Sequence, residues 1–327
     1  MTTATLRDLN GLGRFGDIDL DFLELEEEDT EEFKYDPYQP RAPAGSETGG
    51  QWMDQSGYSK SGDRWVDKDG KPAPGKIQAR LKELVVPPAW TNVRVNPDPN
   101  AAMLVKGKDG KGRNVYKYSK ANSEALSAEK FERLKAFNSI MPSVQKQSLT
   151  DMQNARLTRP ERDAAAATYL ISRTGFRIGS EGDTGAKVQA YGATTLLSKH
   201  MRISGSTVDL SFIGKKGVEI NHSLEDKHLA SYLKGRSGKL FDTDATEVRR
   251  YFKAVAGEQF KVKDMRTWKG TSIALQAVAK LPKPTSQTAF KKSRLAVAKT
   301  VAAVLGNTPT VALSAYIDQT VFARWAL

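Results

Sequence analysis

A chain of 327 residues, 39% of them apolar, is long enough for two domains with sizeable cores, and it contains no run of about 18 apolar residues, so no membrane-spanning helix is expected. Cysteine is absent and the three histidines (His200, His222, His228) are scattered, which excludes disulfides, thiolate nucleophiles and Cys-based metal sites and leaves no convincing metal site. Residues 1–40 hold 12 acidic and 3 basic side chains and residues 41–75 five of each, so residues 76–327 carry 42 basic against 21 acidic, the pattern of a polyanion-binding body behind an acidic leader.

The leader, residues 1–75, combines the acidic block Glu24–Glu32 with a Gly-, Ser-, Pro- and Asp-rich stretch, and composition predicts disorder throughout. No basic region followed by an apolar stretch opens the chain, so no secretory signal is expected and a cytoplasmic setting is. From about residue 76 the pattern changes. A short helix over Ile77–Leu84 leads to Val86-Pro87-Pro88-Ala89-Trp90. Strand-like stretches follow at Val93–Val95, Ala102–Val105 and Val115–Tyr118, separated by turns at Asn96–Asn100 and Lys108–Gly112, which predicts a small antiparallel sheet. Phe131, Leu134, Phe137 and Ile140 recur at helical spacing and predict a basic amphipathic helix over 128–148. The domain boundary is placed there, giving 76–148 and 149–327.

The second domain reads as mainly helical. Pro160 opens a helix that stops at Thr174-Gly175. Thr207–Phe212 and Val218–Asn221 alternate around Gly214-Lys215-Lys216-Gly217, a β-hairpin with lysines at its tip. Further helices are predicted near 225–234, 244–256, 267–279, 286–305 and 309–325. In the last, Asn307 or Thr308 serves as cap and Pro309 as first residue, with Tyr316 about two turns in. The fold class is α+β: a small antiparallel β-rich N-terminal domain plus a mainly α-helical catalytic domain containing a β-hairpin.

Neither a phosphate-cradling Gly-rich loop nor an Asp-x-Asp cluster is present, so nucleotide hydrolysis and two-metal chemistry lack support and no cofactor is expected. Basic groups at element ends remain: Arg177 after a helix stop, Lys215 on the hairpin tip, and Arg266 before a helix start. Each alone reads as a surface cation, and Tyr316 alone as a core tyrosine. Together they suit one reaction. A phosphodiester under attack gathers charge on its non-bridging oxygens, which bidentate guanidinium donors match. A phenol needs nearby cations to become a competent nucleophile at neutral pH, and a lysine among cations can protonate a departing alkoxide.

The chain resembles the type IB DNA topoisomerases, specifically the small bacterial and poxvirus-like branch. The matching pieces are Val86-Pro87-Pro88-Ala89-Trp90, Gly112-Arg113 with Tyr116-Lys117-Tyr118, Phe176-Arg177-Ile178-Gly179, Tyr191–Leu196, Phe212-Ile213-Gly214-Lys215, Lys263–Trp268, and Leu305–Pro309 with Ser314-Ala315-Tyr316. They occur in the family's order. The resemblance implies that Tyr316 attacks a DNA phosphodiester to give a 3′-phosphotyrosyl link and a 5′-hydroxyl. Arg177 and Arg266 would hold the non-bridging oxygens and Lys215 would act as general acid, with Lys216 as runner-up. Asn307 occupies a position where many members have histidine. It can donate a hydrogen bond to phosphate, cap the last helix, or do both.

Two departures stand out. Gly179-Ser180-Glu181-Gly182-Asp183 replaces the family's Gly-Asn-Glu-Glu-Tyr, and Val115 replaces a base-reading glutamine. Tyr116 and Tyr118 share one strand face, so both line the DNA groove or both pack on the sheet's helix; the first is preferred, with Arg113 beside them. The expected partner is double-stranded DNA, gripped by a monomeric clamp. The stretch Tyr38–Ser46 with Gly49–Trp52 resembles a motif of phage structural proteins and hints at a phage genome. The rivals are a tyrosine recombinase and a catalytically silent DNA-binding phage protein. Lys263, standing where recombinases usually have histidine, and the Pro-Pro-Ala-Trp sheet domain disfavour the first.

Overall fold

Trp65 is the residue around which the N-terminal unit assembles. The computed structural model describes residues 57–96, 98, 100–180 and 188–325. The acidic block, the phage-like stretch and Asp183 lie outside the described residues. Strands β1 (Ser59–Ser61) and β2 (Arg64–Val66) form an antiparallel hairpin that buries Trp65 to 4% exposure. Gln78, on helix α1 (Gly75–Glu83), locks that strand: Trp65 N donates to Gln78 Oε1 at 3.0 Å, and Gln78 Nε2 donates to Trp65 O at 2.9 Å. Residues 57–75, assigned to the disordered leader from composition, are therefore ordered. One large buried aromatic whose backbone is held by the Gln78 side chain outweighs a polar composition.

Strands β3 (Thr91–Val95), β4 (Met103–Lys108) and β5 (Asn114–Tyr118) form the expected antiparallel sheet in sequence order. Val93, Val95 and Val105 pack with Trp65, Leu81 and Val86 into one core. Arg94, Lys106 and Tyr116 are cross-strand neighbours, and Lys106 Nζ lies 5.7 Å from the Tyr116 ring centroid. Lys117, on the opposite face, reaches back to donate to Leu84 O beyond α1.

Helix α2 runs from Lys120 to Gln153, longer at both ends than its apolar spacing suggests. It passes straight through residue 148. The chain's two compact units divide instead between residues 128 and 129, because Leu134, Phe137, Met141, Val144 and Met152 of α2 sink into the catalytic core. Helix α3 (Arg159–Thr174) begins with a capping box, Thr158 with Glu161, carries Pro160 in its first turn and ends at Gly175 in the left-handed conformation (φ 73°). Its Ala164–Ala167 run is buried, so neighbouring elements approach its backbone closely.

A sheet of β6 (Met201–Ser204), β7 (Thr207–Ile213) and β8 (Glu219–Glu225) follows, with β6 added to the expected hairpin. Helices α4 (Lys227–Leu233), α5 (Ala245–Ala256), α6 (Val262–Lys280) and α7 (Gln287–Leu305) complete the core. The final segment departs from the single helix expected over 309–325. A short helix α8 (Pro309–Val311) passes into a π-turn, Ala312–Tyr316, and a 3-10 turn, Gln319–Trp325. Thr271 on α6 explains the break: its Oγ1 donates to Tyr316 O at 3.3 Å and accepts from Asp318 N at 3.1 Å, replacing helical bonds with tertiary ones. Among the described residues no single helix is long and apolar enough to cross a membrane.

Candidate active site

Arg266 is the hub. It lies within α6 rather than before its start, 3% exposed, with its guanidinium carbon 4.8 Å from the centre of the Tyr316 ring. Its Nη1 donates to Gly175 O at 2.6 Å, and its Nη2 donates to Leu305 O. One planar fork thus ties the C-terminal ends of α3 and α7 to the helix carrying it. Gly175 precedes Arg177 by two residues, and Leu305 precedes Asn307 by two. The fork therefore fixes the backbone from which both side chains depart.

Arg177 is half-buried, and its carbonyl accepts from Ala193 N at 2.8 Å while Ile178 O accepts from Thr194 N at 2.8 Å. Gly179 and Gly192 make that pairing possible, since a Cβ on Gly192 would lie 2.5 Å from Gly179 N. Asn307 follows Gly306, the left-handed end of α7 (φ 61°). It is not the cap of the last helix. Thr308 is, its side chain accepting from Val311 N. Both side-chain atoms of Asn307, Nδ2 and Oδ1, are enclosed without a protein hydrogen-bond partner. A buried amide left so carries a cost of about 1–3 kcal/mol, and a ligand oxygen accepting from Nδ2 would recover the donor's share of it.

Lys215 is brought in by Ile220. A Cβ on Gly214 would lie 2.6 Å from Ile220 Cδ1, and one on Gly306 2.9 Å from Ile220 Cγ1, so the hairpin tip and the end of α7 share one side chain. Lys215 is half-buried at the start of the tip; Lys216, exposed, takes the left-handed conformation (φ 64°) and so leaves the tip in a different direction. Tyr316 is 1% exposed. Its turn lies directly on α6, where a Cβ at Gly270 would meet Tyr316 O at 2.6 Å. Arg177, Lys215, Arg266, Asn307 and Tyr316 thus sit on segments knitted by shared contacts. Arg113, Tyr116 and Tyr118 belong to the N-terminal unit, where Arg113 Nε donates to Asp109 Oδ2 at 2.8 Å, and the tyrosine ring centroids are 6.2 Å apart.

Lys269, one turn beyond Arg266, was not singled out by the sequence. Its stem packs where a Cβ on Gly175 would lie 3.2 Å from Lys269 Cγ. Burial, and then the charge of Arg173, push its ammonium below the usual lysine range. Burial and the charge of Lys269 likewise push His222 down. The surroundings favour anions, and no signal other than helical spacing from Arg266 points to Lys269 beforehand.

Residues 118–322 match the family described as eukaryotic DNA topoisomerase I, catalytic core, and residues 62–109 match bacterial DNA topoisomerase IB, N-terminal domain. The DNA topoisomerase 1B of Acanthamoeba polyphaga mimivirus is 27% identical over 259 residues, 73% of this chain and 76% of that protein. The DNA topoisomerase 1B of vaccinia virus (strain Copenhagen) is 23% identical over 239 residues, 67% of this chain and 71% of that protein. A solved complex of the site-specific recombinase XerH with difH is similar at 13% identity and a TM-score of 0.34, over 55% of this chain and 51% of that one, a likeness too slight to bear on the fold. With catalytic core and N-terminal domain both matched in order, the chain belongs to the type IB DNA topoisomerases, in the branch that includes the poxvirus enzymes.

Proposed function

We propose that this topoisomerase relaxes supercoiled duplex DNA by transient single-strand cleavage with Tyr316 as nucleophile. The observation that carries the assignment of roles is the fork of Arg266, set against the Tyr316 ring and bonded to the carbonyls two residues before Arg177 and Asn307. The Tyr316 hydroxyl loses its proton to solvent and attacks phosphorus, and the bond to the 5′ oxygen breaks. Arg177, Arg266 and the Asn307 amide hold the non-bridging oxygens, and Lys215 gives a proton to the departing oxygen. The covalent link conserves the bond energy, so the 5′-hydroxyl can reverse the step after the strand has swivelled. The face carrying Arg94, Lys106, Tyr116 and Tyr118 supplies phosphate and groove contacts. The enzyme acts as a monomeric clamp in the cytoplasm, and a phage genome is its proposed source.

The test is relaxation of both positively and negatively supercoiled plasmid in EDTA without nucleotide. A ladder of relaxed topoisomers is expected, together with a 3′-linked adduct on a nicked suicide duplex. Plasmid that stays supercoiled, or a 5′-linked adduct, overturns the proposal.

The tight seat of the nucleophile's turn gives a second prediction. Gly270→Ala places a methyl only 2.6 Å from Tyr316 O, and 3.1 Å from both Leu305 Cδ1 and Tyr316 Cβ. Overpacking of this kind is expected to cost about 1–3 kcal/mol. The displaced tyrosine should slow single-turnover cleavage by about 10²-fold. Thermal melting and cleavage of the same preparation check both figures.

A further inference from the structure

The carbonyl end of the nucleophile's turn is held by side chains. Gln319 Nε2 donates to Leu313 O at 2.7 Å and Ile317 O at 3.0 Å, and Thr271 Oγ1 donates to Tyr316 O at 3.3 Å. Lys130 Nζ donates to Ala315 O at 2.9 Å from a position 185 residues earlier in the chain. A helical turn that stops leaves its last carbonyls without backbone donors, and a cation there is favoured by the alignment of the peptide dipoles.

The lysine is not carried there on a loose arm. One turn further along α2, Arg133 forks onto Asp264, Nε to Oδ2 at 3.1 Å and Nη2 to Oδ1 at 3.2 Å. Beyond it, Trp268 Nε1 donates to Asn138 Oδ1 at 2.9 Å. Asp264 and Trp268 flank Arg266 on α6. The helix that delivers Lys130 is therefore referenced to the residue whose guanidinium faces the Tyr316 ring.

We propose that Lys130 is a positioning residue for Tyr316. The carbonyl it holds belongs to the same rigid peptide plane as the Tyr316 amide nitrogen, so fixing that oxygen fixes the base from which the tyrosine side chain departs. The ammonium acts through this peptide and touches neither the DNA nor the reacting atoms. The inference rests on Tyr316 being the nucleophile.

The experiment uses the full chain and a labelled suicide duplex, comparing the wild type with Lys130→Met, which keeps the stem, and Lys130→Arg, which keeps a donor. Cleavage and religation in the Met variant are each expected to slow by about 10–100-fold, leaving their ratio near the wild-type value. DNA affinity, measured in a Tyr316→Phe background, stays unchanged with the same salt slope, and the Arg variant recovers most of the rate. Wild-type cleavage by Lys130→Met overturns the proposal. So does a loss confined to affinity and salt slope, the mark of a phosphate contact, or a loss that tracks melting temperature and is not recovered by Arg. If Tyr316→Phe itself still forms the adduct, the nucleophile assignment fails instead, and the two failures are thereby told apart.

Discussion

Tyr316→Phe is expected to abolish plasmid relaxation and adduct formation, by about 10⁴-fold or more, while leaving the fold and DNA affinity in place. The ring is 1% exposed and packs with Leu305, Ala312 and Ile317, and phenylalanine fills the same volume. The Arg266 guanidinium stays over a ring face in the variant as in the wild type, so the packing reason for the arrangement survives. Only the hydroxyl goes, and a single lost hydrogen bond changes stability by about 0.5–1.5 kcal/mol. The nearest alternative nucleophile on the same turn is Ser314, whose Oγ donates back to Thr310 O at 3.1 Å. Gel shift, melting temperature and the covalent-adduct assay on one preparation separate the outcomes. A variant that binds and melts normally but still forms an adduct would move the nucleophile elsewhere.

What the sequence made legible are features written in local chemistry. Thr158, Pro160 and Glu161 announce the start of α3 and Gly175 its end, because a capping box and a left-handed stop need only neighbouring residues. The hairpin carrying Lys215 follows from period-2 alternation around Gly214–Gly217 in the same way. The candidate site residues can be named from the sequence, but the bonds that bring their segments together cannot. Arg266 reaches Gly175 and Leu305, 91 and 39 residues away, and nothing in the spacing announces those bonds. The final segment misleads for a related reason. Ala312, Tyr316, Val321 and Trp325 recur at near-helical spacing, yet Thr271 and Gln319 supply bonds from side chains and break the helix at Ile317. Residues 57–75 mislead in the opposite sense, since a single buried tryptophan orders a stretch whose composition alone argues for disorder. The order of β1 and β2 is decided by Gln78, which lies in a different element.

Arg266→Ala is expected to damage stability and chemistry together, and Arg266→Lys to separate them. In the alanine variant, Gly175 O and Leu305 O lose their donors in a buried setting, at about 1–3 kcal/mol each, and a cavity opens beside the Tyr316 ring. Loss of a preorganised charged donor at the phosphate should lower cleavage by about 10²–10³-fold beyond any fall in folded fraction. A lysine ammonium can satisfy one carbonyl and keep the positive charge, so Arg266→Lys should regain part of the melting temperature. It lacks the planar fork that spans both carbonyls and meets a phosphate bidentately, so its cleavage rate should stay near that of the alanine variant. The measurement is single-turnover cleavage at saturating protein, well below the lower of the two melting temperatures, with the folded fraction read by circular dichroism. If the lysine variant recovered rate in proportion to stability, the guanidinium would be a scaffold only. The charge at the phosphate would then have to come from Arg177, Lys215 or the half-buried Lys269.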